Sequence, residues 1–336
     1  MKVSIVIPVY NVSLYIESCM DSVMHQSYPD IECILVDDCS PDNSVVLINQ
    51  KIASYSGSII FKTIHHEQNK GLAGARNTGI EASTGDYLYF LDSDDEMTEH
   101  CLQLLTDLVR KYPGVELVQG SAEQLGEHPV DNKYQLKKAV PEYSDDHHWL
   151  KKNMLESEKF PLTAWNKLIK RRFLTENNLF YHEGIIHEDE HWNFFAAKRV
   201  QTMAFCRVPT YKHFIREDSI MTSGDQRKSI SSWFFILNDF INHQDPDMER
   251  FQRKMILKES FGNLVRITND ASKYPVNNLL VRQREILRPL LKSALKRGQI
   301  FEITLLSYFH QPIFLLKILC MKKVRGIYFR ILKYLV

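Results

Sequence analysis

The sequence predicts an α/β protein with a doubly wound, mostly parallel sheet followed by a helical C-terminal region. Three observations carry that prediction. Short apolar runs alternate with helix-spaced segments over residues 1–120, the pattern of strand–helix–strand units around a parallel sheet. Polar clusters (Tyr10-Asn11, Asp37-Asp38 and Asp92–Asp95) fall at the ends of those apolar runs, and open α/β sheets bind ligands beyond the carboxyl ends of their strands. From about residue 228 onward only helical spacing is visible.

The elements follow in order. Val3–Val9 is almost continuously apolar, as expected of a strand buried on both faces. Leu14, Ile16, Met20, Val23 and Met24 have helical spacing, with Ser13 as the expected N-cap. Ile31–Val36 reads as a strand, Asn43–Tyr55 as a helix, Ile59–Ile64 as a strand and Ala73–Ser83 as a helix. Tyr87–Leu91 is the fourth strand and Thr98–Tyr112 the helix after it. Residues 125–160 are polar and irregular, and read as an insertion. Residues 161–215 return to apolar and aromatic patterning around HEGIIHEDEHW, and the stretch 161–225 completes a first domain over 1–225. Residues 226–336 form the helical region, with its clearest helix at Phe251–Ile267.

Composition narrows the function. A net charge of +1 gives no electrostatic argument for nucleic acid. The six cysteines have no CxxC spacing, so they are expected as reduced thiols in a cytoplasmic protein. The opening MKVSIVIPVY is broken by Ser4 and Pro8 and does not read as a signal peptide. No segment reaches the roughly 18 uninterrupted apolar residues of a membrane span. Residues 311–336 hold six basic residues and no acidic one, interleaved with apolar side chains. They read as a basic amphipathic tail on an anionic membrane surface, or as a helix packed on the body with its lysines in water. The first reading places the protein peripherally at the inner face of the cytoplasmic membrane.

The chemistry concentrates in YLYFLDSDDE, Tyr87–Glu96. Asp92 and Asp94 lie two apart just past a strand, so an extended chain points both the same way. Mg²⁺ and Mn²⁺ prefer oxygen ligands, and Mg²⁺ is often held by one or two carboxylates with phosphate oxygens completing the shell. An acidic surface turn is the alternative. An EF-hand does not fit, because Met97 stands where Gly is needed and Gln103 where a bidentate Glu belongs. Asp38 follows a buried strand and precedes the Ser40-Pro41-Asp42 turn. There it can accept the imide N–H of uracil while Tyr10 offers a stacking face, or it can cap the next helix, as Asp42 or Asn43 also can.

The segments IVIPVYN, ILVDDCSPDNS and NKGLAGARNTGIEASTGDYLYFLDSDD, in order between Ile5 and Asp95, resemble the N-terminal half of family 2 glycosyltransferases. The likeness extends more weakly through HEDEHW and YKHFIREDSIMTS to about residue 222. It implies the GT-A nucleotide-diphospho-sugar transferase fold, a UDP-sugar donor, Mn²⁺ or Mg²⁺, inversion at the anomeric carbon, and a glycan or lipid-linked acceptor of bacterial surface polysaccharide. It implies that Pro8, Tyr10, Asp38, Arg76, Asp92 and Ser93 contact the donor, and that Asp94 and Asp92 hold the metal. His213 is a further candidate ligand and Arg216 a candidate diphosphate clamp. Asp189 of the Glu188-Asp189 pair is the expected general base, with Glu188 the second choice. Neighbouring Glu183, Glu188 and Glu190 raise its proton affinity, although acids at a helix start are also favoured by the dipole alone. For Arg76 the alternative is an exposed helix residue.

Competing classes fit less well. A sugar-nucleotide nucleotidyltransferase carries a Gly- and Arg-rich loop after its first strand, where this chain has Pro8-Val9-Tyr10-Asn11. A haloacid-dehalogenase-like phosphatase places Thr or Val where Glu96 stands. A processive synthase would need spanning helices and QxxRW. A nucleotide-sugar-binding protein without turnover is the remaining alternative, and intact Asp38, Asp94 and Asp189 weigh against it.

Overall fold

The computed structural model describes residues 1–126, 134–156, 159–215, 226–243, 250–269, 276–299 and 306. Two compact units are present: residues 1–184 with 188–223, and residues 185–187 with 224–336.

The first unit is built on one nine-stranded sheet. Its nucleus is β1 (Val3–Val9), β2 (Ile31–Asp37), β3 (Ile60–His65) and β4 (Tyr87–Phe90), all paired in parallel in the order β3-β2-β1-β4. Every residue of β1, β2 and β4 is buried, which explains why those strands read as continuous apolar runs. The connecting helices are α1 (Ile16–Met24), α2 (Ser44–Ser54) and α3 (Gly71–Ala82). Beyond β4 the sheet is mixed. β8 (Lys167–Lys170) runs antiparallel between β4 and β6 (Leu117–Leu125), and β9 (Met203–Phe214) runs parallel to β6. β5 (Glu96–Met97) and β7 (Tyr143–Ser144) pair antiparallel with β9. The remaining helices of this unit are α4 (Cys101–Lys111), α5 (His147–Glu156), α6 (Arg171–Glu176) and α7 (Glu188–Ala197).

The larger core cluster joins β1, β2 and β4 to α1 and α4, through residues such as Ile5, Ile7, Met20, Tyr89 and Leu105. A smaller cluster of Ile34, Val36 and Ala75 sits where α3 meets the sheet. Gly79 permits that approach, because a Cβ there would lie 2.1 Å from Val6. Ser4, which interrupts the first apolar run, pairs in register with Glu32 and bonds its carboxylate. Burial pushes Glu32 up, but Lys2, Ser4 and Thr84 outweigh that and hold it down at about 2.

Two local expectations change. Ser13 is not a side-chain N-cap: α1 begins at Ile16, and the Ser13 amide donates to Asp42. Asp42 accepts from the Ser44 amide and hydroxyl as well, so one carboxylate ties two loops together beside α2. Residues 125–160 are not wholly irregular, since β7 and α5 lie within them and α5 buries Leu150, Met154 and Leu155. Among the described residues, five cysteines are free thiols.

The second unit contains α8 (Gln226–Asn242), α9 (Arg250–Asn269) and α10 (Val276–Lys296). Phe234, Leu237, Ile256 and Leu290 are buried there. The Asn263 amide donates to Gln283 at 3.0 Å, and Gln283 donates to the Ser260 carbonyl at 2.6 Å. Residues 185–187 belong to this unit: the Ile186 amide donates to Ser232, and His187 bonds Ser229. No helix among the described residues is long and apolar enough to cross a membrane. The tail 311–336 lies outside the described residues.

Candidate active site

The carboxyl ends of β1, β2 and β4 deliver the first set of side chains. Val9 and Asp37 are in register, and the Asp38 amide donates to the Val9 carbonyl at 2.9 Å. Tyr10 and Asp38 therefore emerge side by side. Pro8 is buried within β1 and Tyr10 is half-exposed beyond it. Asn11 turns the chain with φ +54°. The Asp38 carboxylate does cap a helix, but the helix is α3, through the amides of Lys70 and Gly71 at 2.7 Å each. Gly71 takes φ +78°, a left-handed conformation that suits glycine.

Arg76 is buried, not exposed on its helix. Its guanidinium donates to Asp92 Oδ1 at 2.9 Å and to Glu188 Oε1 at 2.6 Å. Its Cζ lies 5.4 Å from the centre of the Tyr181 ring, which stacks on Trp192 and meets Phe90 edge-on. The next residue, Asn77, exchanges two 2.8 Å bonds with the Tyr181 backbone. One turn of α3 thus holds the end of β4 and the start of α7 to each other. Burial pushes Arg76 toward losing its proton, but Asp92 and Glu188 outweigh it and raise its pKa above the ordinary value.

Asp92, Asp94 and Asp95 bring carboxylate oxygens within 4.8 Å of one another. Asp92 and Asp94 are half-buried, while Ser93 and Asp95 are buried. Asp95 was not singled out by motif, yet it is the structural anchor. It accepts from Tyr211 at 2.8 Å, His213 Nδ1 at 3.0 Å and the Phe214 amide at 2.9 Å. Burial raises its pKa, against the lowering effect of His213. His213 stacks on Trp165 and joins the acidic cluster through Asp95; it is not one of the three residues whose ligand atoms converge. Arg216 lies outside the described residues.

At the start of α7, Glu188 is spent on Arg76, while half-buried Asp189 accepts from the Glu190 amide at 2.9 Å. Burial raises the pKa of both carboxyls, opposed by Arg76. Lys167 also pulls Asp189 down, and Asp92 pushes it up. Lys167 is itself fully buried, and burial drops its pKa to about 7. Its ammonium bonds the Thr163 carbonyl, and Asn193 of α7 ties the Leu162 carbonyl to the Asp189 carbonyl. Sequence reasoning missed Lys167, Asn193 and Tyr181. The buried lysine carries no motif, and only its place on a strand paired to both neighbours reveals it.

The donor set suits a hard divalent cation. Asp92 and Asp94 offer closely spaced carboxylate oxygens beside a buried arginine, without a closed cage. That is the chemistry of a metal that keeps positions for phosphate oxygens and water.

A family model described as glycosyl transferase family 2 matches residues 4–177. The uncharacterized glycosyltransferase EpsJ of Bacillus subtilis (strain 168) is 30% identical over 207 residues, covering 59% of this chain and 57% of that protein. A poly(ribitol-phosphate) beta-glucosyltransferase of Bacillus spizizenii is 42% identical over 105 residues, 30% of this chain and 16% of that protein. Among solved structures, S. aureus TarS 1–349 in complex with UDP-GlcNAc superposes with a TM-score of 0.63 at 20% identity, covering 87% of this chain and 80% of that one. The mannosyltransferase PcManGT from Pyrobaculum calidifontis, in complex with GDP-Man and Mn²⁺, gives a TM-score of 0.52 at 15% identity, covering 96% of this chain and 87% of that one. At those identities the structural likeness establishes the fold, which is the GT-A fold that the sequence resemblance implied.

Proposed function

The chain belongs to glycosyl transferase family 2, and from that premise we propose that it transfers a sugar from a UDP-sugar to a hydroxyl of a glycan or lipid-linked acceptor, with inversion. The acceptor belongs to bacterial surface polysaccharide synthesis, in keeping with relatives that include a poly(ribitol-phosphate) glucosyltransferase.

The single observation that carries the reading is the span of Arg76. One buried guanidinium joins Asp92 of the DSDD turn to Glu188 beside Asp189, so the donor-side and acceptor-side carboxylates form one site. The nucleobase lies against Tyr10 and Pro8, with its imide N–H on Asp38. Asp92 and Ser93 flank the ribose and diphosphate. Asp94 and Asp92 hold Mn²⁺ or Mg²⁺. His213, whose Nδ1 lies 3.0 Å from Asp95, would offer Nε2 to the metal as a further ligand. When bound, the metal supplies charge neutralisation for the departing diphosphate.

Glu188 is occupied by Arg76, so Asp189 takes the base role. Asp189 accepts the proton of the acceptor hydroxyl as that oxygen bonds to the anomeric carbon. The bond from that carbon to the diphosphate oxygen breaks on the opposite face, and UDP leaves. Burial keeps the proton affinity of Asp189 above that of an ordinary aspartate, which favours acceptance of a proton near neutral pH. Arg216 grips the diphosphate, and the basic tail 311–336 holds the protein to the inner face of the membrane.

The test is release of nucleoside diphosphate from a panel of UDP-, dTDP- and GDP-sugars with Mn²⁺, with and without lipid-linked glycan and polyol-phosphate acceptors. We expect UDP release from one UDP-sugar to rise at least about tenfold with the right acceptor, the scale of a positioned hydroxyl against bulk water. Release of pyrophosphate from a nucleoside triphosphate and a sugar phosphate, without UDP release, would contradict the reading and indicate nucleotidyl transfer.

A further inference from the structure

His66 is absorbed by neither the motifs nor the mechanism. It lies one residue past β3, and its side chain is only 4% exposed. Its Nδ1 is 2.7 Å from Asp38 Oδ1, and its Nε2 is 2.8 Å from Thr78 Oγ1. A carboxylate oxygen accepts, so Nδ1 is the donor to Asp38, and the Thr78 hydroxyl pairs with the opposite ring nitrogen. The imidazole is thereby held in plane from both sides.

The consequence falls on Asp38. A carboxylate offers about four lone-pair sites. Oδ1 takes His66 and the Lys70 amide, and Oδ2 takes the Gly71 amide. One acceptor site on Oδ2 is left among these partners. The carboxylate is 4% exposed, so little of it is open to a ligand. It belongs to the residue beside half-exposed Tyr10. A flat heterocycle on Tyr10 would present its ring edge to the remaining acceptor. A fixed acceptor welcomes a ring N–H, as in uracil, and repels a ring nitrogen carrying a lone pair, as in cytosine.

We propose that His66 and Thr78 form a positioning relay that aims the last acceptor site of Asp38 at the nucleobase, and so sets the preference for a base with a ring N–H. The proposal deepens, and rests on, the nucleotide-binding reading above. Thr78 lies on α3 two residues after Arg76, and the same helix is capped by Asp38. The base-reading carboxylate and the bridging arginine are therefore set by one element.

The test measures dissociation constants for UDP and CDP, with Mn²⁺ present, on the full chain and on His66→Leu, His66→Asn and Thr78→Val. The unmodified protein should favour UDP over CDP by about tenfold or more, because CDP sets a lone pair against a buried acceptor. His66→Leu should weaken UDP about tenfold and Thr78→Val about threefold, while CDP changes little, so that the ratio falls toward one. His66→Asn, whose amide N–H can take the place of Nδ1–H, should keep most of the ratio. A purely structural role would weaken both nucleotides alike and leave the ratio unchanged. An unchanged ratio in His66→Leu and Thr78→Val, with UDP binding intact, overturns the relay alone. No discrimination by the unmodified protein overturns the Asp38 reading and the relay with it. If His66→Leu does not fold, Thr78→Val and His66→Asn decide the question.

Discussion

Asp189→Asn is expected to lower sugar transfer by about 10³-fold or more while UDP affinity stays within about twofold. General-base catalysis contributes typically about 10²–10⁴-fold, and here the whole of it is assigned to one carboxylate. The substitution is isosteric and keeps an oxygen to accept the Glu190 amide. It leaves Arg76 paired with Asp92 and Glu188, so the donor side is undisturbed. The groups acting on Asp189 are Arg76 from α3, Lys167 from β8, Asp92 after β4, and Glu188 and Glu190 on its own helix. Burial leads and raises its pKa, the two cations oppose, and the net direction is upward. With Asp189 ionised as the proposed base, the rate should fall as pH drops through this raised value, above the ordinary aspartate range near about 4. A steady-state pH profile of the unmodified protein and an endpoint assay of the variant check both statements. A variant with undiminished turnover would remove Asp189 as the base.

Arg76→Met is expected to cost about 3–5 kcal/mol of stability, the scale for breaking a buried ion pair by removing one partner. Glu188 would remain buried without its cation, and Asp92 would lose a 2.9 Å bond. Arg76 also lowers the proton affinity of Glu188. Without it, folded Glu188 holds its proton to higher pH than the unfolded chain does. The stability deficit is then largest at high pH, where Glu188 must ionise, and shrinks as pH falls. Urea midpoints at pH 8 and pH 5 measure this. Adding Glu188→Gln should recover part of the loss, since the two sites are in direct contact. A midpoint equal to that of the unmodified protein at pH 8 would show that the bridge contributes nothing to the fold. Lysine is not an equivalent replacement, because only the guanidinium fork spans both acceptors.

The parallel nucleus was legible because burial on both faces leaves its mark directly on composition: β1, β2 and β4 are apolar runs, and their ends carry the polar clusters. The mixed half was not. β8 is four residues long and sits between two antiparallel neighbours, and no local spacing encodes such pairing. The same holds for the site. Asp92, Asp94 and the Glu188-Asp189 pair stand out as short motifs, but the Arg76 bridge joins residues 112 positions apart. Asp95 read as one more acid in a row, because its three partners arrive from β9. His66 gave no signal at all, since its meaning lies in Asp38 and Thr78 on other elements.

The carboxylates of the DSDD turn are proposed to bind a divalent cation that in turn holds a nucleoside diphosphate. The most direct measurement is the melting temperature with UDP, in Mn²⁺ and in EDTA, on the unmodified protein and on Asp94→Ala. A ligand that binds only the folded state raises the melting temperature, by about 2.7 kcal/mol of stabilisation at a hundred times its dissociation constant. The melting temperature should rise with UDP and Mn²⁺, and the rise should disappear in EDTA and in Asp94→Ala. An equal rise with UDP in EDTA, or an undiminished rise in Asp94→Ala, would contradict it.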